Sequence, residues 1–223
     1  MPLQNRVTPF GEIVSTPARG LLMGNRGILH NDDRRLGSAR WQHPHWVACR
    51  LEFRGRRQEV MRPGAYTQLF FLDEAVALAA GHRPCAHCRR ADYEAFVTAW
   101  MKASGLAHRP RAAELDWQLH RERVEAQSRR QITYPAPIDD LPDGTFITLP
   151  AKPTAPYLVL GAQLLPWTAE GYRAPRERPS GLEVTVLTPR PTVAALAAGY
   201  HPQLHPSAAA ALGRSDRDQG SSR

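Results

Sequence analysis

Cysteine is scarce in this sequence, with three residues in a chain of 223. A small secreted domain held by disulfides carries more cysteines, usually in even number, so the sequence does not fit that class. Long apolar runs are also missing, because none approaches the roughly 20 residues that cross a bilayer. No apolar segment typical of a signal peptide follows residues 1–6. We therefore expect a cytoplasmic protein with reduced cysteines and no membrane partner.

Several common catalytic motifs are absent as well. The sequence contains no P-loop, no Gly-x-Gly-x-x-Gly dinucleotide fingerprint and no Gly-x-Ser-x-Gly nucleophile elbow. It also has no pair of carboxylates in the setting typical of a hydrolase. These absences leave the cysteines, the histidines and the charge pattern as the features from which a function can be argued.

Positive charge is abundant, and nearly all of it is arginine. The formal net charge is +8, and only Lys102 and Lys152 among the 29 basic residues are lysine. The planar guanidinium group suits phosphate oxygens and guanine edges. The charge pattern therefore favours a nucleic acid as partner, with DNA the preferred form. A cationic surface that serves only solubility is the alternative interpretation.

Local patterns predict a mixture of strands and helices. Residues 1–45 show little periodicity and are expected to form an extended or looped lead-in. Apolar residues alternate over 47–53, which predicts a strand. A short helix is predicted over 74–80, and helical spacing of apolar residues predicts further helices over 91–104 and 112–128.

A Cys-x-x-Cys motif stands at residues 85–88, and its surroundings make it informative. The predicted helix before it begins after Asp73, a good N-cap residue, and ends at Gly81, a typical helix stop. A turn at Pro84 then presents Cys85 and Cys88 two residues apart. This spacing lets both sulfurs bind one ion at about 2.3 Å in a tetrahedral site. The motif therefore predicts a Zn²⁺ site.

The stretch from residue 70 to residue 89 resembles the second half of the metal-binding domain of the Ada DNA-repair protein. The shared features are an aromatic strand, an acidic helix start, an alanine-rich helix and the run Gly-His-Arg-Pro-Cys-x-x-Cys. Residues 24–30 are similar to the Gly-Asn and aliphatic-His steps that precede the first ligand in related modules. The resemblance covers residues 22–92 and implies a DNA-facing zinc module.

The resemblance and the residue inventory together give a set of metal ligands. The family places its first two ligands about four residues apart, but Arg34 stands four residues after His30. In the family a metal-bound thiolate also accepts a methyl group from phosphotriesters, and Arg34 occupies one such thiolate position. A structural zinc is therefore favoured over a methyl acceptor. The predicted ligands are Cys85, Cys88, His30 and Cys49, with His45 or His43 as alternatives for the fourth donor.

Two further features carry weaker predictions. Asp116 and His120 are four residues apart on a predicted helix with Glu122 beside them, which makes them candidates for metal or acid–base catalysis; a salt-bridged helix face is the alternative. A dithiol redox motif would follow a strand, whereas here a helix precedes the cysteines. The predicted nucleic-acid contacts are arginines near the motif and the predicted strand: Arg50, Arg54, Arg56, Arg57, Arg89 and Arg90.

The combined prediction is an α+β protein in three parts. Residues 1–130 are expected to form a small zinc-binding β/α module with helices, residues 131–205 a small β-rich, barrel-like domain, and residues 206–223 a disordered tail. The expected function is that of a zinc-stabilised nucleic-acid-binding protein, with DNA repair as a candidate role. The alternatives are a metal-dependent or acid–base enzyme acting on nucleic acid and a zinc-folded scaffold for protein partners.

Overall fold

A computed structural model describes the backbone of residues 1–55 and 59–220 and their side chains as far as residue 213. It contains two sheets and several helices, so the predicted α+β class is confirmed. The described helices include none that is both long enough and apolar enough to cross a membrane.

The first sheet has six strands in the order β2-β1-β5-β3-β4-β6. The strands are β1 (Gln4–Val7), β2 (Ile13–Ser15), β3 (Leu22–Asn25), β4 (Val47–Arg50), β5 (Leu69–Phe71) and β6 (Arg83–Pro84). Three of them lie within residues 1–45, so the prediction of a loop-like lead-in is wrong there. These strands have only three or four residues, which is too short for alternation to show in the sequence.

The helices of the first part lie close to the predicted positions. They are α1 (Glu74–Ala79), α2 (Arg90–Ser104) and α3 (Ala112–Arg123). The Asp73 carboxylate caps α1 by accepting the Val76 amide at 3.0 Å. The predicted third helix was longer at its C-terminal end than the helix observed.

The second sheet has an open order, β11-β10-β9-β8-β13-β7, with β12 paired to β10. The predicted barrel is therefore wrong, because the described edge strands do not pair to close it. The strands are β7 (Tyr134–Pro137), β8 (Phe146–Leu149), β9 (Lys152–Leu160), β10 (Gln163–Thr168), β11 (Gly171–Tyr172), β12 (Arg176–Glu177) and β13 (Glu183–Val186).

One hydrophobic cluster joins the two sheets. Leu69 and Phe71 of the first sheet belong to the same buried cluster as Phe146 and Leu158 of the second. The second sheet also has a buried cluster of its own, formed by residues after 130. Two helices complete the fold, α4 (Arg190–Ala197), which packs on α2, and α5 (Pro206–Gly220).

The structure differs from the predicted disorder at the C-terminal end. Residues 206–220 form α5, and Ala208 and Ala211 are buried in the core cluster. Alanine is the best helix former, and here it also supplies a small face that packs closely. The remaining residues of that predicted tail, 221–223, lie outside the described part of the chain.

The segment before α5 folds back onto the start of α1. The Glu74 carboxylate accepts the Tyr200 hydroxyl at 2.6 Å and the Gln203 amide at 2.9 Å. The Asp73 carboxylate accepts the His205 amide at 3.0 Å and the Tyr172 hydroxyl at 2.8 Å. These bonds fasten the C-terminal segment to two buried carboxylates of the N-terminal part.

Candidate metal centre

The three cysteines of the chain converge at one place. Strand β6 pairs in parallel with β4, and the Cys85 amide donates to the Ala48 carbonyl at 3.0 Å. This pairing sets the Cys-x-x-Cys turn beside Cys49. The sulfur atoms of Cys49, Cys85 and Cys88 all lie within 4.8 Å of one another. The predicted convergence of these three residues is therefore present.

The turn at Cys85 has a helical form that leads into α2. The Arg89 amide donates to the Cys85 carbonyl at 3.1 Å, and the His87 amide donates to the Cys85 sulfur at 3.4 Å. The amide contact stabilises negative charge on that sulfur. The turn therefore presents two sulfurs to one side and supports one of them as an anion.

Cys49 stands in a row of residues that crosses the first sheet. Met23 on β3 lies directly opposite Cys49 on one side and Phe70 of β5 on the other. Arg6 of β1 is paired with Phe70, and its guanidinium carbon lies 4.7 Å from the ring centroid. Successive side chains alternate across a sheet, so the neighbouring residues on these strands face the core instead. The row forms a half-buried face.

This face lines an open cavity of about 510 Å³ that we call the thiol cavity. Its lining combines the three thiols with cationic and aromatic side chains. The thiol, cationic and aromatic residues in its lining are Cys49, Cys85, Cys88, Arg19, Arg50, Phe53, Tyr66 and Phe70. Met23, Tyr66 and Phe70 were not predicted as site residues, since only the pairing of short strands brings them together.

The thiols influence one another's protonation. Hydrogen bonds with Cys49 and Cys88 hold the pKa of the Cys85 thiol far below its usual value. The hydrogen bond to Cys85, together with the neighbouring Cys88 and burial, raises the pKa of Cys49. These shared hydrogen bonds favour the anionic form at Cys85 and the protonated form at Cys49. A bound dication would take the place of those shared protons.

The predicted histidine ligand does not join this cluster. His30 is buried, with Nδ1 2.6 Å from the Thr67 hydroxyl and Nε2 3.3 Å from the Arg62 carbonyl oxygen. Its ring nitrogens are thus engaged by the segment that precedes β5. Arg34, at the position of a family ligand, forms an ion pair with Glu59 instead.

The alternative donors also lie elsewhere. His45 Nδ1 is 2.8 Å from the Asp116 carboxylate, and His43 stacks on the His45 ring. Within the described part of the chain, the metal-binding group therefore contains three thiols and no fourth protein donor.

The predicted nucleic-acid contacts separate into different environments. Arg50, Arg54 and Arg90 are exposed, and Arg54 lies over the Phe53 ring at 5.2 Å. Arg89, in contrast, is only 2% exposed and is ion-paired with carboxylates, because it fills the interior beside the cysteine turn. The structure therefore does not place Arg89 among surface contacts. Two further predicted contacts, Arg56 and Arg57, lie outside the described residues.

The candidate catalytic residues do not form a shared site. Asp116 is buried, and its carboxylate binds the Arg83 guanidinium through two bonds of 2.7 and 2.8 Å. Burial and the nearby Arg123 guanidinium lower the pKa of His120 to about 4. Glu122 is half-buried on a different side of α3. Because both Asp116 oxygens are already bound, this carboxylate acts as a structural anchor for β6.

Comparison of the chain with protein-family models, curated proteins and solved structures found no match. The resemblance to the Ada metal-binding domain therefore stays a prediction based on the motif over residues 70–89.

Proposed function

We propose that the protein binds Zn²⁺ through Cys49, Cys85 and Cys88 and binds nucleic acid, preferably DNA, at the thiol cavity around the metal. The observation that carries this proposal is the convergence of three sulfur atoms within 4.8 Å on the wall of an open cavity. The proposal has two parts, one for the metal and one for the nucleic acid, and each is supported by different residues.

The donor set fits zinc. Thiolates are soft ligands that favour Zn²⁺ over the hard cations Mg²⁺ and Ca²⁺. Structural zinc sites have four protein ligands, whereas three protein ligands with one open position are typical of zinc that binds a water or a substrate. The three thiols at the cavity wall match the second arrangement. The Cys85 thiolate and its amide contact would be ready to bind the ion first.

The surroundings of the thiols fit a polyanion with aromatic bases. Arg19 and Arg50 are exposed and line the thiol cavity, and the chain as a whole carries a net charge of +8. Guanidinium groups bind phosphates, and aromatic rings such as those of Phe53 and Tyr66 can stack on bases. A nucleic-acid strand laid across the cavity would meet both kinds of side chain.

A second candidate function is zinc-dependent hydrolysis of a nucleic-acid substrate. The observation that favours it is the lack of a fourth protein donor among the described residues, on the side that faces the cavity. Zinc with an open position lowers the pKa of a bound water to about 7, which gives a nucleophile at neutral pH. Hydrolysis that disappears when zinc is removed and returns when zinc is restored would support this function.

The metal assignment is tested by elemental analysis of the purified protein and of single variants. We expect about one equivalent of zinc in the parent protein and a loss of most of it in Cys49→Ser, Cys85→Ser and Cys88→Ser. His30→Ala is the matched control, since the structure places His30 on Thr67 instead of at the metal. Less than about a tenth of an equivalent in the folded parent protein would contradict the proposal.

The nucleic-acid assignment is tested by the salt dependence of binding to duplex and single-stranded DNA. We expect Arg50→Gln and Arg54→Gln each to weaken binding and to reduce the salt slope by about one unit. The control is Arg176→Gln, an exposed arginine in the second sheet. Binding that is absent, or equal losses in all three variants, would contradict a site at the thiol cavity.

A further inference from the structure

A cluster of buried arginine side chains lies around Trp46, the residue that precedes β4. Two arginines lie over its ring, with the guanidinium carbon of Arg26 4.1 Å and that of Arg123 3.8 Å from the ring centroid. Arg26 is 3% exposed and Arg123 is 1% exposed. The cluster thus places two guanidinium groups on one buried indole.

These two buried charges have no carboxylate partner among the described residues. Arg26 donates to the carbonyls of Gly11 at 3.0 Å and Ala80 at 3.4 Å. Arg123 donates to the carbonyls of Gly81 and Pro44, each at 2.6 Å, and lies 3.1 Å from His120 Nδ1, so all of these partners are neutral groups. The Nε atoms of both arginines are buried without any hydrogen-bond partner. Two like charges are therefore held together in the interior with their charge uncompensated, which is costly in a low-dielectric environment.

The charge on Arg26 is costly in this environment, since burial lowers the pKa of Arg26 to about 9. The acidic group that acts on Arg123 is Asp116, whose oxygens are already bound to Arg83 and His45. The part of the chain that the structure describes therefore offers these arginines no free anion. An external anion is the group that would balance them.

An open cavity of about 580 Å³ adjoins the two arginines, and we call it the arginine cavity. Arg26, Trp46 and Arg123 line its interior, while Arg40, Arg129 and Arg130 line it from the exposed surface. The one acidic residue in its lining is Glu12, which is exposed. The cavity therefore has a strongly positive wall from its rim to its base.

The arginine cavity also offers groups that recognise an aromatic base. Trp41 is half-buried in its lining. The side-chain oxygen of Gln131 is buried there without a donor, and the Gln131 nitrogen lies within hydrogen-bond distance of three backbone carbonyls, which fixes the orientation of the amide. An indole ring and a free acceptor suit a heterocycle that carries an amino group.

We propose that the arginine cavity binds a nucleoside monophosphate, with its phosphate on Arg26 and Arg123 and its base beside Trp41. A phosphate dianion matches the two uncompensated charges and accepts bidentate bonds from guanidinium groups. A cavity of this volume is within the range of small-ligand sites, about 300–1,000 Å³. The site is separate from the metal centre, since the two cavities share no lining residue.

The test uses the purified full chain and three probes, namely adenosine monophosphate, adenosine and inorganic phosphate. We expect adenosine monophosphate to raise the melting temperature, to quench tryptophan fluorescence and to bind at least about tenfold more tightly than either fragment. Equal affinity for inorganic phosphate would overturn the nucleotide assignment. No binding of any of the three probes would overturn the site itself.

Variants at the rim keep the test independent of folding. Arg40→Gln and Arg129→Gln change exposed side chains and should each weaken adenosine monophosphate binding by about tenfold, because each removes a charge-assisted contact. Arg121→Gln, an exposed arginine of α3 outside the cavity, is the matched control and should bind as the parent does. At the base, Arg26→Met should abolish binding. Unchanged affinity in these cavity variants, or an equal loss in Arg121→Gln, would overturn the proposal.

Discussion

The thiol cavity and the arginine cavity include residues that are close in sequence, but the buried arginines beside them differ in whether a carboxylate neutralises them. Trp46 and Cys49 are three residues apart along one extended segment, and such residues point to opposite faces of a sheet. Beside the cysteine turn, each buried arginine has a carboxylate: Arg83 binds Asp116, and Arg89 binds Glu74. Around Trp46, no described carboxylate compensates either arginine.

This difference separates the two proposals made above. At the thiol cavity the buried arginines are already neutralised by carboxylates, so a bound dication would be balanced by the three cysteine sulfurs. At the arginine cavity the positive charge has no described carboxylate, so a bound phosphate would itself supply the balancing charge. Buried arginines thus have a structural role beside the cysteine turn, whereas those on Trp46 are the ones proposed to bind a ligand.

The largest expected effect comes from replacing an arginine that has a carboxylate partner, compared with replacing one that has none. Arg89→Met leaves the Glu74 carboxylate buried without its cation and should lower the free energy of unfolding by about 3–5 kcal/mol. Arg26→Met removes an unbalanced charge and should change that free energy by only about 1 kcal/mol. Urea unfolding at neutral pH measures both. Equal losses in the two variants would break the comparison.

A substitution at the contact between β3 and β4 should affect both the thiol cavity and the arginine cavity. A Cβ atom at Gly24 would stand 2.3 Å from the Val47 carbonyl oxygen and 2.9 Å from the Phe71 ring. Gly24→Ala therefore pushes β3 away from β4 and should cost about 1–3 kcal/mol of stability. We expect zinc content and adenosine monophosphate binding to fall together, since β4 carries Cys49 of the thiol cavity and directly follows Trp46 of the arginine cavity.

The matched control for Gly24→Ala is Gly37→Ala. The nearest atom to a Cβ at Gly37 is 3.7 Å away, and the residue is exposed, so its effect should stay within about 0.5 kcal/mol. A Gly24→Ala protein that loses only one of the two ligands would show that the two faces are mechanically independent.

The last expected effect concerns a single titrating group, His120. His120 Nδ1 lies 3.1 Å from the Arg123 guanidinium, and burial and that charge lower the pKa of His120 to about 4. The folded imidazole is therefore neutral at pH 7. Between pH 6.5 and 4 the unfolded chain binds more protons at this residue, so its contribution to stability is present above pH 6.5 and is lost as the pH falls.

An NMR titration of the His120 ring measures this shift directly. Arg123→Met should raise the pKa of His120 towards its usual value, because one source of repulsion is gone. Bound adenosine monophosphate should also raise it if the phosphate neutralises Arg123. An unchanged pKa in both cases would mean that burial alone sets the titration and would weaken the link between His120 and the arginine cavity.

Local signals in the sequence were sufficient for part of this architecture. Asp73 and Gly81 mark the ends of α1, the alternation after Trp46 marks β4, and the spacing of Cys85 and Cys88 marks the turn that carries the thiols. Each of these features depends on residues within a few positions of one another. Short-range chemistry decides them, so a sequence alone predicts them.

The remaining features depend on contacts between distant segments. Arg26, Trp46 and Arg123 are separated by 20 and 77 residues, and no spacing rule connects them. The open order of the second sheet likewise depends on which strands pair, whereas the sequence shows only short apolar runs. His30 was predicted as a ligand from its neighbours in the chain, but the loop turns it onto Thr67.

The fastening of residues 200–205 onto the start of α1 has a consequence for synthesis of the chain. A nascent polypeptide that ends before Tyr200 already contains every cysteine, both cavities' arginines and the thirteen strands found among the described residues. The carboxylates of Asp73 and Glu74 still await several of their final donors at that stage. The start of α1 therefore gains its full set of hydrogen bonds only after residues 200–205 have been synthesised, and not in the order in which the strands of the first sheet emerge.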